Sequence, residues 1–137
     1  MRILAVDPGE KRLGIALSDE SGTIANPLKV IAHKSRTADA ETIASIAEEN
    51  HAGLIVVGQA LDLDGVPTTQ GRSAARLAGV IRNQTETPVE LWDESGSTIA
   101  ARDAQIKIGT ARKKRRGHLD EYAATVILQS YLDAHTS

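Results

Sequence analysis

Apolar residues fall in short runs over the first third of the chain and in helical spacing over much of the rest. Arg2-Ile3-Leu4-Ala5-Val6-Asp7 sets four apolar residues in a row before an acid, the pattern of a central strand buried on both faces. Leu13-Gly14-Ile15-Ala16-Leu17-Ser18-Asp19 is a second apolar stretch. The short polar connection Gly9-Glu10-Lys11-Arg12 predicts an antiparallel hairpin of strands 2–7 and 12–19. A turn at Asn26-Pro27 leads into a third strand, Leu28 to Ala32. Thr37 is expected to cap a helix running to about Asn50, with Asp39 and Glu41 suited to its first turn and Gly53 beyond its end. Its buried stripe is Ile43, Ile46 and Ala47.

Leu54-Ile55-Val56-Val57 reads as another fully buried strand, ending in Gly58-Gln59. A polar loop over 61–68 follows, and then a helix from Thr69 to Gln84 with Ala74, Leu77, Ala78 and Ile81 at i, i+3, i+4, i+7. Pro88 introduces the last strand, Val89 to Trp92, which ends in Asp93-Glu94. A shorter helix is expected from Ser97 to Ile108. The last, His118 to Ala134, shows Leu119, Tyr122, Ala123, Val126, Ile127 and Ser130 on one face. Three strands, then helix, strand, helix, strand and two helices predict an α/β fold, a hairpin-led mixed sheet flanked by helices. At 137 residues without a Pro/Gly/Ser-rich linker, the expected organisation is one domain, 1–137.

Composition narrows the chemistry. There is no cysteine, which excludes disulfides and thiolate metal sites. Any metal must be held by carboxylates or histidine, which favours hard ions such as Mg²⁺ or Mn²⁺. Phe is absent and Trp92, Tyr122 and Tyr131 are the only aromatic residues, so no platform for stacking bases is expected. The N-terminal apolar run is too short for a signal peptide and nothing approaches a membrane span, so a cytoplasmic protein is expected. Net charge is −2, but Arg112-Lys113-Lys114-Arg115-Arg116 holds five of the sixteen basic residues. The remainder, eleven basic against eighteen acidic residues, sums to about −7.

Carboxylates stand at three separate places: Asp7 at the end of strand one, Asp93-Glu94 at the end of the last strand, and Asp120 in the first turn of the final helix. Strands with parallel C-terminal ends would gather them on one sheet edge, where open α/β sheets collect their sites. Clustered carboxylates repel one another, and a divalent cation removes that cost. Each acid also has a plainer reading. Asp7 before Pro8-Gly9 can start a turn, Asp120 can serve the helix dipole, and Asp93 and Glu94 can be solvated loop acids. Asp62 and Asp64, in a Gly- and Pro-containing loop, are expected to be turn formers, with a reach to a metal as the alternative. The basic run, bracketed by Gly109 and Gly117, is either a solvated loop or a grip on phosphates that is salt-dependent and sequence-blind. Lys11 and Arg12, just after Asp7, are further candidate nucleic-acid contacts. Arg72 and Arg76, at i and i+4 on the polar face of their helix, suit a plain surface role, with an extension of the phosphate track as the alternative. His33, His51, His118 and His135 show no ligand spacing. Strand, Asp-x-Gly, strand also opens actin-like and sugar-kinase ATPases, which close two such domains around a nucleotide; one domain of this length supplies half that cleft.

The run from Asp7-Pro8-Gly9-Glu10-Lys11-Arg12-Leu13-Gly14 to Ser18-Asp19 closely resembles the opening of the YqgF family of RuvC-like nucleases, also called pre-16S rRNA nucleases or Holliday junction resolvase-like proteins. Ile55-Val56-Val57-Gly58 with Asp64-Gly65 is similar to its second block and Asp93-Glu94 to the acid pair of its third. Asp120 with Ala123-Ala124 and Ile127-Leu128-Gln129-Ser130-Tyr131-Leu132 is similar to its last. The resemblance implies an RNase H-like fold, a five-stranded mixed sheet with helices on both faces. It implies Asp7, Glu94 and Asp120 as catalytic acids and metal ligands acting through Mg²⁺ or Mn²⁺. The implied role is trimming the 5′ end of pre-16S rRNA in ribosome biogenesis, with branched DNA as a second substrate. Cutting a four-way junction symmetrically needs a homodimer, whereas trimming RNA needs only a monomer. Ser95-Gly96 stands where the family has Arg-Leu, and Gly58-Gln59-Ala60 where it has Gly-Leu-Pro. The missing guanidinium motivates the alternative of a non-catalytic junction-binding protein with a decayed site.

Overall fold

The computed structural model describes residues 1–94 and 119–135. Five strands, β1 (Arg2–Pro8), β2 (Arg12–Ser18), β3 (Ala25–Ala32), β4 (Ala52–Gln59) and β5 (Val89–Asp93), form one sheet in the order β3-β2-β1-β4-β5. Pairing is antiparallel from β1 to β2 and β2 to β3, and parallel from β1 to β4 and β4 to β5. Strands β1, β3, β4 and β5 therefore all end on one edge, and the predicted hairpin is present. Helices α1 (Arg36–Glu49) and α2 (Thr69–Gln84) cover one face and α3 (Leu119–His135) the other. Leu4 and Val6 pack with Ile43, Leu77 and Ile81, while Ile3 and Ala5 pack with Ala124, Leu128 and Leu132. Alternate residues of β1 thus feed two cores, as a run apolar throughout requires. No helix among the described residues is long and apolar enough to cross a membrane.

Four expectations shift. β3 begins at Ala25 and takes in Asn26-Pro27, expected to be a turn; it is an outer strand of the sheet, where a residue without an N–H is tolerated, and the register against β2 slips between Ile15 and Ala16. The α1 cap is Ser35, not Thr37, its side chain accepting from the Ala38 amide at 3.1 Å. The left-handed residue after α1 is His51 (φ 54°), and Gly53 lies inside β4, where a Cβ would collide with the Met1 side chain. On α3 the buried stripe is Ala124, Ile127, Leu128, Tyr131 and Leu132, rotated from the predicted face; Ala123, Val126 and Ser130 are only half-buried. The stripe of α2, Ala74, Leu77, Ala78 and Ile81, is buried as expected. The helix predicted over Ser97–Ile108, the run Arg112–Arg116, His118 and Ser95-Gly96 lie outside the described residues.

Candidate active site at the sheet edge

Strand alternation fixes the direction of the first acid. Ile3 and Ala5 face the α3 layer, so Asp7, next in that series, stands on the α3 side of the edge. On β4 the same series is Leu54, Val56 and then Gly58. The last β1–β4 pair is Val6 with Val57, so Asp7 and Gly58 are the next positions along their strands. On β5, Trp92 packs into the α3 layer, pairs with Gly58 and is followed two residues later by Glu94. The Glu94 amide donates to Gln59 O at 3.2 Å, holding the chain against β4 one step beyond the strand.

Gly58 is the joint of this arrangement. An ideal Cβ built on it would lie 2.7 Å from Glu94 Oε2 and 2.8 Å from Ile127 Cδ1. The missing side chain leaves the notch that the Glu94 carboxylate occupies, beneath α3 and one strand from Asp7. The apolar run of β4 predicts only where the strand ends, not that a carboxylate from β5 lies against its last glycine. Its one signal in the sequence is a glycine closing a fully buried strand, where glycine marks close approach by another group.

Asp120 lies in the first turn of α3. Ile127 sits over Gly58, and Gln129 accepts from the Ala25 amide at 2.9 Å, at the far end of β3. The helix therefore descends from the carboxylate edge, and its first turn starts at that edge, about 10 Å above Ile127 along the axis. Asp7 and Glu94 flank Gly58 on the side where α3 begins. Among the described residues no three carboxylate or imidazole groups gather as a metal cluster. The donor chemistry still suits a hard divalent ion: two carboxylates on one edge, beside a notch that a Cβ would fill.

Other candidates separate. Asp62 is a turn former: its Oδ1 accepts from the Asp64 and Val66 amides at 2.8 and 2.9 Å. Arg72 is tied to Pro67 O and Thr69 Oγ1, both at 3.1 Å, in keeping with a surface role. Asp93 ends β5 exposed, opposite Gln59. Lys11 and Arg12 are exposed at the same edge, in the turn closed by the Gly9 amide to Arg12 O at 3.0 Å. His33, which has no ligand spacing in the sequence, is paired through Nδ1 with Asp39 Oδ2. Asp39, in the first turn of α1 as expected, is 3% exposed and also accepts from the Lys34 amide at 3.1 Å. This pairing depends on the end of β3 meeting the first turn of α1.

The strand order and the acids gathered at one edge define an RNase H-like α/β protein. Solved structures agree. The RuvC protein of T. thermophilus in complex with a Holliday junction substrate superposes with a TM-score of 0.62 at 14% identity, covering 100% of this chain and 96% of that one. The Fowlpox virus resolvase with Holliday junction DNA gives 0.59 at 13% identity, covering 100% of both chains. At these identities the likeness is one of fold. A family profile described as "RuvX: Holliday junction resolvase" matches residues 1–134. Relatives named "Putative pre-16S rRNA nuclease" are 38% identical in Thermoanaerobacter pseudethanolicus, over 98% of this chain and 97% of the relative, and 42% identical in Syntrophus aciditrophicus, over 98% and 89%. The chain belongs to the RuvX family.

Proposed function

We propose that the chain is a metal-dependent nuclease, one RNase H-like domain over residues 1–137, that cleaves structured nucleic acid in the cytoplasm. Its substrate is the 5′ end of pre-16S rRNA, with branched DNA as a second substrate. The observation that carries this reading is the row Asp7–Gly58–Glu94, in which glycine on the middle strand makes room for a carboxylate. Asp7 and Glu94 would hold Mg²⁺ or Mn²⁺ together with Asp120, supplied by the first turn of α3. When bound, such an ion supplies Lewis-acid polarisation of a phosphoryl oxygen and a water acidic enough to attack it. The chain's own part is orientation. β1 fixes Asp7 through its neighbours in the sheet, while the Glu94 amide bond to Gln59 O and the Gly58 notch fix Glu94. Lys11, Arg12 and the basic run Arg112, Lys113, Lys114, Arg115 and Arg116 grip the backbone of the substrate without reading its bases.

The test offers a precursor ribosomal RNA and a four-way DNA junction, each with Mg²⁺ or Mn²⁺. Asp7→Asn, Glu94→Gln and Asp120→Asn are expected to lower cleavage by at least about 100-fold while binding and thermal unfolding stay near wild type. Cleavage unchanged in all three rejects the site. Tight binding by the wild type with no cutting of either substrate favours the non-catalytic junction binder instead.

A further inference from the structure

On the opposite face of the sheet from Glu94, the edge holds a cavity of about 260 Å³ between the β1–β2 turn and helices α1 and α2. Its floor is Leu13 and Leu77, both buried, and its walls carry Gly9, His33, Arg36, Asp39 and Ser73. A second cavity of about 190 Å³, lined by Gly9, Glu10, Thr69, Gln70 and Ser73, adjoins it. The two share Pro8, Gly9 and Ser73, so they form one groove passing beside the turn that follows Asp7.

The charges in this groove are ordered. Arg36 is exposed at the start of α1. Asp39, the one acid lining the first cavity, is buried and committed to His33 and the Lys34 amide. Holding His33 by Nδ1 leaves Nε2 as its remaining ring atom, which donates to an anion only while the ring carries both protons. Lys34 follows His33 in the chain, and the Lys11 carbonyl accepts from the His33 amide at 2.9 Å. The second cavity carries Glu10 instead, so an anion is favoured in the first. Gly9 is two residues from Asp7, within about 7 Å of chain. The cavity therefore opens beside the turn that follows Asp7, within reach of a strand bound at the carboxylate edge.

We infer that the His33–Arg36–Ser73 cavity is a phosphate subsite, taking a backbone phosphodiester of the bound strand a short way from the one placed at Asp7 and Glu94. This rests on the nuclease reading, and its test is independent of cutting. Arg36 supplies a charged fork, Ser73 a hydroxyl, and the buried Asp39 holds His33 in place. The subsite accounts for grip on the face of the sheet away from α3, which the acids do not touch.

The experiment measures anisotropy of a labelled RNA hairpin with a single-stranded extension, in EDTA, across a salt series. Arg36→Ala is expected to weaken binding about five- to tenfold and to make the slope of log K against log salt shallower by about 0.7–0.9, one phosphate contact. Ser73→Asp, an exposed position on α2, is expected to weaken it at least as much, while Lys29→Ala, exposed on β3 outside the groove, leaves it unchanged. Inorganic phosphate at constant ionic strength competes with RNA on the wild type and less on Arg36→Ala. Wild-type affinity and slope in both groove variants overturn the subsite. Phosphate binding that depends on Arg36 while RNA binding does not also overturns it, in favour of a free-phosphate site. Asp7→Asn is carried through this binding assay and through the cleavage assay with Mg²⁺ or Mn²⁺: cutting retained in the latter rejects the nuclease site, whereas groove variants that bind normally reject only the subsite.

Discussion

Gly58 carries no reactive group, yet it decides where a carboxylate can stand. With a Cβ 2.7 Å from Glu94 Oε2 and 2.8 Å from Ile127 Cδ1, Gly58→Ala forces both neighbours to move. The expected cost is about 1–3 kcal/mol of stability from overpacking, with cleavage lowered at least about tenfold. Stability and cleavage separate in Gly58→Ala/Ile127→Val. The shorter side chain relieves the clash with α3 and recovers the melting temperature, but the Glu94 carboxylate stays displaced and cleavage stays low. Full recovery of cleavage in the double variant would show that Gly58 serves packing alone. Asp7 and Glu94 are legible as acids because each closes an apolar strand. Gly58 is legible only as a strand ending, since its role depends on which groups two other elements bring to it. The His33–Asp39 pair is hidden for the same reason: the two are six residues apart, across a corner whose angle no local pattern states.

Elements are most legible where hydrophobic periodicity is unambiguous. α2 has one apolar stripe against polar neighbours, and its limits and buried face are those its spacing predicts. α3 offers Ala, Val, Ile, Leu and Tyr around much of its circumference, so periodicity does not choose the face, and contact with the sheet does. That contact buries Tyr131, whose hydroxyl donates to Glu90 Oε2 at 2.6 Å and whose ring stacks on His135 at 4.0 Å. Burial first, and then the Glu90 hydrogen bond and charge, push the Tyr131 pKa up to about 12. The folded chain thus keeps a phenol proton that the unfolded chain loses from about pH 10, so this contribution to stability is full below about pH 10 and falls as pH rises toward 12. Tyr131→Phe removes both the hydrogen bond and the titration. The stability gap between wild type and Tyr131→Phe is expected to narrow from about pH 9 to about pH 12, measured by urea unfolding; a constant gap counts against a protonated Tyr131 as the α3–β5 tie.

At the scale of the whole molecule, strand count and hairpin are legible in the apolar runs. The order β3-β2-β1-β4-β5 is not, because apolar runs do not name their neighbours; only the family resemblance pointed to the sheet as a whole. Charge behaves in the same way. A net −2 argues against a polyanion partner until it is divided into five adjacent cations and a remainder near −7. A body that acidic repels nucleic acid, so affinity must be carried by local basic groups. Replacing Arg112, Lys113, Lys114, Arg115 and Arg116 by alanine should therefore weaken binding of RNA hairpin and four-way DNA junction alike, by at least about tenfold near physiological salt. The slope of log K against log salt should flatten by about 0.7–0.9 for each phosphate released from the protein's cations, and the deficit should shrink as salt rises. Discrimination between the two substrates should stay as it was, because phosphate contacts carry no sequence information. A loss confined to one substrate, or one that persists undiminished at high salt, would assign the run to shape recognition instead. The remaining basic groups at the Asp7 edge would then have to carry the sequence-blind grip.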